Sequence, residues 1–127
     1  MQPDIPKQIK YWINGALDNI ETAEILIDKG KRLEGLFFCH LALEKELKAH
    51  VTKATQTVPP KTHNLVRLAE IAGLDLQEEV YVFLGDMMEY QVEGRYPEMA
   101  PKVPDKKKTT DYSKKSGEVV KWLKGLL

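Results

Sequence analysis

Cysteine is nearly missing from this chain. Cys39 is the single one among 127 residues, so no internal disulfide can form, which fits a reducing compartment. Long apolar runs are missing too. No stretch approaches the roughly 20 residues that span a bilayer, and the charged start, Met1 to Lys7, is not followed by the apolar segment of a signal peptide. Neither sign of charge is in excess. The 19 basic and 19 acidic residues cancel, so any contact with nucleic acid or a membrane surface must come from a local patch. There is no glycine loop for cradling phosphate. His40, His50 and His63 share neither a face nor a metal spacing, and no Glu-x-x-His pair of a two-iron bundle occurs. These absences lead us to expect a cytoplasmic protein with no bound metal, no cofactor and no membrane association.

What is present is helical periodicity. A chain of this length makes one domain, residues 1–127, and buries about two thirds of the surface of its unfolded form. Ile9, Ile13, Ala16, Leu17, Ile20, Ala23 and Ile27 form one stripe and predict a first helix over Lys7 to Lys29, with Asp4 as N-cap and Gly30 as stop. Leu33, Leu36, Leu43, Leu47 and Val51 predict a second over Leu33 to Thr52. Phe38 and Leu41 add a further apolar side, as in a central or partner-sharing helix. Pro59-Pro60 marks a loop. A short third helix is expected after Thr62, read as its cap, and stops at Gly73. A fourth is expected from Asp75 to about Gly94, with Glu78 completing a capping arrangement. Residues 97–108, rich in Pro and Lys, read as an extended, solvated connection. A last helix begins near Thr109 to Asp111. No strand pattern competes. The fold class expected is all-α, an antiparallel up-down bundle of about five helices.

The run Ala42-Leu43-Glu44-Lys45-Glu46-Leu47-Lys48-Ala49 stands out, because it places charges in the middle of an apolar helix. Its A-x-E-K-x-L-K-A pattern resembles the second-helix signature of the HEPN family (higher eukaryotes and prokaryotes nucleotide-binding). Ala16 to Ala23 resembles that family's first helix, Thr62-His63-Asn64-Leu65 followed by Leu68 the start of its third, and Arg95-Tyr96-Pro97 the motif after its fourth. His40-Leu41 stands where many relatives carry two glutamines. The resemblance implies a helical bundle, commonly a homodimer. Some members are ribonuclease toxins paired with a small nucleotidyltransferase as antitoxin, and others bind nucleotides without catalysis. The nuclease branch uses an Arg followed four to six residues later by His. Here Arg95 is followed by Tyr96, Pro97, Glu98, Met99, Ala100, Pro101 and Lys102, with no His. The general base of that mechanism is therefore missing.

The residues themselves leave several readings open. His40 projects with Leu36, Leu43 and Leu47, with Glu44 one turn on and Lys48 one turn further. Either these line a polar cleft together with Glu24, or His40 is a buried histidine bonded to a carboxylate. Arg95 either grips a phosphate with two parallel hydrogen bonds or bonds helix carbonyls or a neighbouring carboxylate. Tyr96 either stacks on a base or packs on the last helix. Lys45 and Lys48 either bind phosphate or form a solvated face with a Glu44–Lys48 pair. Lys102, Lys106, Lys107 and Lys108 either track a nucleic-acid backbone or belong to a solvated linker.

The leading expectation is a nucleotide- or RNA-binding helical protein that partners a small nucleotidyltransferase in a toxin–antitoxin-like pair. Arg95 and Tyr96 would contact the ligand, assisted by Lys48 and Lys45. One alternative is a metal-independent ribonuclease with altered catalytic groups, for which Arg95, His40 and Glu44 are the candidates. Another is a pure protein-interaction module.

Overall fold

The structure is a computed structural model that describes residues 3–91 and 101–127. It is all helical among the described residues. α1 spans Ile5–Asp28, α2 Arg32–Thr55, α3 Leu65–Ile71, α4 Glu78–Met87 and α5 Lys106–Gly125. A 3₁₀ turn over Met88–Gln91 continues α4. No helix among the described residues is long and apolar enough to cross a membrane.

Local chemistry sets most of the helix ends. Asp4 caps α1 by accepting the Lys7 amide at 3.1 Å, with Pro6 in the first turn where a missing N–H does no harm. Gly30 and Gly73 adopt φ of +80° and +69°, the left-handed region that glycine enters without a Cβ clash. Three starts differ from the sequence reading. Asn64, not Thr62, caps α3, accepting the Arg67 amide at 2.9 Å. α4 begins at Glu78 after Gln77, so Asp75 stays outside it. α5 begins at Lys106, because Asp105 accepts the Lys108 amide at 2.8 Å. Lys106 to Lys108 therefore form a helical turn. Lysine is a good helix former and needs only a cap to start one. The expected end of α4 near Gly94 lies outside the described residues.

α1 and α2 pack as an antiparallel hairpin through small residues. A Cβ placed on Gly35 would collide with the Ile27 side chain, and one on Gly15 would come within 2.9 Å of the Lys45 stem. The pairs 27 with 35 and 15 with 45 fix the register. α2 is the central helix. Leu36, Leu43, Leu47 and Val51 are buried, as are Cys39, Ala42 and Ala49 on other sides. Burial pushes the Cys39 thiol up to about 11, which keeps it protonated and inert.

α5 lies along α2 in the same direction. His50 bonds the Leu123 carbonyl at 2.9 Å, and Lys53 bonds the Leu127 carbonyl at 3.2 Å. Val119, Val120 and Leu123 of α5 close the core. Three other side chains of α2 also end on main-chain oxygens. Arg32 donates to the Pro104 carbonyl at 2.9 Å, His40 meets the His63 carbonyl at 3.1 Å, and Thr52 donates within the helix to Lys48 at 2.8 Å.

Candidate functional site

Residues 44 and 46 lie about 200° apart around a helix, so the two glutamates of the central run face opposite sides of α2. Glu44 faces the junction with α1 and the start of α3. It is 4% exposed. Its Oε2 accepts the Lys48 ammonium at 3.0 Å, and its Oε1 accepts Nδ1–H of His63 at 2.8 Å. His40 Nδ1 sits 4.0 Å from the same Oε1. The Lys48 Nζ also lies 5.4 Å over the Trp12 ring of α1, a cation–π contact in a dry setting.

The hydrogen bonds assign the tautomers. His40 donates Nε2–H to the His63 carbonyl, and burial lowers its pKa below 6.5 while Glu44 opposes that shift. It is a neutral, packed group whose partner is a backbone carbonyl, not a carboxylate. His63 is different. Its side chain is 68% exposed. With Nδ1–H donated to a buried carboxylate, its Nε2 is left without a hydrogen-bond partner among the described residues. A carboxylate that fixes one imidazole nitrogen and leaves the other as proton acceptor is the arrangement general-base catalysis uses.

The structure thus brings His40, Glu44 and Lys48 together, and adds His63. Glu24 is not part of the group, because it is exposed on α1. The Glu44–Lys48 pair is buried, not the solvated pair expected. Lys45 is half-buried with its stem on Gly15. Lys102 and Lys106 to Lys108 are exposed. Arg95 and Tyr96 lie outside the described residues. His63 escaped the sequence reading as a site residue, because nothing in residues 62–65 reveals that Glu44 reaches it. Among the described residues no three His, Cys, Asp or Glu side chains could hold a metal ion together.

Glu46 faces α5 instead. It is fully buried, and neither carboxylate oxygen has a hydrogen-bond partner among the described residues. His50 Nε2 is 3.8 Å from Oε2 but donates to Leu123. Burial lowers the His50 pKa, so this is not an ion pair. Burial pushes the Glu46 carboxyl up to about 7, partly opposed by Lys124.

The described residues make an all-α bundle organised on a central helix. The HEPN domain model matches residues 9–126, nearly the whole chain, and the chain belongs to the HEPN family. Membership implies work on nucleotides or RNA. No curated protein and no solved structure matches the chain.

Proposed function

We propose that this HEPN protein binds a nucleotide or RNA and partners a small nucleotidyltransferase in a toxin–antitoxin-like pair. Family membership over residues 9–126 carries the reading. The exposed His63, held by Glu44 at 2.8 Å, supplies a hydrogen-bonding group for a base or phosphate beside the bundle. Arg95 is proposed as the phosphate contact, with Tyr96 beside it. The measurement is fluorescence anisotropy of a labelled oligoribonucleotide, with ATP as competitor. Arg95→Ala and His63→Ala are each expected to weaken binding at least tenfold, the loss of about 1.4 kcal/mol that one charge-assisted hydrogen bond supplies. Unchanged binding in both variants would remove the site assignment.

The Glu44–His63 geometry favours one second reading, a metal-independent ribonuclease in which His63 stands in for the missing downstream histidine. Incubation of RNA with purified protein in EDTA separates the two. Intact RNA leaves binding as the function, whereas cleavage that His63→Ala slows by about two orders of magnitude makes the protein an enzyme.

A homodimer belongs to the same proposal. Phe38 is half-buried and, with Leu26, Leu33 and Phe37, lines an apolar cavity of about 420 Å³ at the closed end of the α1–α2 hairpin. Leu41, on the same helix, is also only half-buried. Sedimentation is expected to show a dimer at micromolar concentration. A monomer there removes this element.

A further inference from the structure

α4 and α5 meet mainly through side chains and leave a furrow between them. The Phe83 and Tyr112 ring centroids, 6.0 Å apart, form its floor. A cavity of about 550 Å³ lies above the rings, and a second of about 300 Å³ continues it past Glu79 and Lys115 to Trp122. Two large apolar side chains on this face stay in solvent, Val82 at 57% and Trp122 at 47% exposure.

Its charge is one-sided. Glu78, Glu79, Asp86, Asp111 and Glu118 line the two cavities, against Lys115 in the lining and Lys108, whose Nζ lies 5.4 Å over the Tyr112 ring. The whole chain is neutral. Glu78 and Glu79 have a local use, since carboxylates in the first turn of α4 favour the helix dipole. Asp86 has the opposite placement, in the last turn of α4, where a negative charge is unfavourable. None of the five makes an ion pair among the described residues. Helix stability therefore accounts for Glu78 and Glu79 but not for Asp86.

The furrow also shows what kind of group it accepts. Lys115 lays its own Nζ 5.2 Å over the Phe83 ring, a cation on an aromatic floor between carboxylates. Phosphate would be repelled here, so the face is unsuited to nucleic acid. Two helices held apart by a groove offer a seat for a third. Exposed Val82 and Trp122 demand apolar contact, and the rim demands positive charge. We propose that the α4–α5 face docks a basic amphipathic helix of another protein. This assignment is independent of the function proposed above.

The test uses the full chain, labelled with ¹⁵N, and a synthetic helical peptide with leucines on one face flanked by lysines. A twin peptide carries glutamates in place of the lysines. The lysine peptide is expected to shift the amides of Val82, Phe83, Tyr112 and Trp122 and to bind more weakly as salt rises. The Asp86→Lys/Asp111→Lys variant changes two exposed positions, and its fold is checked by circular dichroism. It is expected to bind the peptide at least tenfold more weakly. Equal binding of the glutamate twin, shifts that map to other faces, or unaltered affinity in the double variant would overturn the proposal. So would a concentration-dependent dimer that Val82→Asp abolishes, since a second copy would then own this face.

Discussion

Glu44→Ala is expected to destabilise the fold by about 3–5 kcal/mol, the usual consequence of removing one partner from a buried ion pair. The carboxylate is 4% exposed and, among the described residues, is the sole hydrogen-bond partner of the Lys48 ammonium, which is itself buried at 7%. Without Glu44, Lys48 keeps, among the described residues, the Trp12 ring face 5.4 Å away. Urea denaturation followed by circular dichroism measures the loss. Lys48→Met added to Glu44→Ala removes the stranded charge and should restore at least about 1 kcal/mol, a coupling typical of residues in direct contact. A loss below about 1 kcal/mol in the single variant would mean that the pair is not buried in solution.

Glu46→Gln is the opposite case and is expected to stabilise at neutral and alkaline pH. The folded state holds a proton on Glu46 up to about pH 7, whereas the unfolded chain releases it near 4.5. Stability from this group is therefore fully present below pH 4.5, falls as pH rises towards 7, and stays low above that. Glutamine cannot ionise, so the variant escapes the loss. Its gain over the wild type should be about 2–3 kcal/mol larger at pH 8 than at pH 5. His40 and His50 act in the other direction. Burial lowers their pKa values, so they withdraw stability as pH falls below 6.5, but they do so in both proteins. Thermal melts of the pair at pH 5 and pH 8 give the difference directly. An equal gain at both values would show that Glu46 does not ionise in the folded protein across that range.

These two glutamates mark how far the sequence could be read. The stripes of α1 and α2, the Asp4 cap and the stops at Gly30 and Gly73 are local properties, and the periodicity displays them. The juxtaposition of His40, Glu44 and Lys48 is also local, because residues four apart share a face. What failed was tertiary. His63 joins Glu44 only because the loop after Pro60 folds back over α2. Glu46 is buried only because α5 returns to lie beside it, and nothing in residues 42–49 announces that. The start of α5 was misplaced for a related reason. Lys106 to Lys108 carry no apolar period, so charge was read as solvated linker, while the deciding group was the Asp105 carboxylate at 2.8 Å from the Lys108 amide.

The reach of α2 has one more consequence. Arg32, His40, His50 and Lys53 hold the rest of the molecule by the carbonyls of Pro104, His63, Leu123 and Leu127. Every residue type offers a carbonyl. In this chain each such bond needs its particular side chain on α2, whereas the carbonyl it meets is the same whatever residue carries it. The bundle thus concentrates its side-chain grip on the surrounding main chain in one helix, so a backbone shift at residues 63, 104, 123 or 127 is felt first in α2.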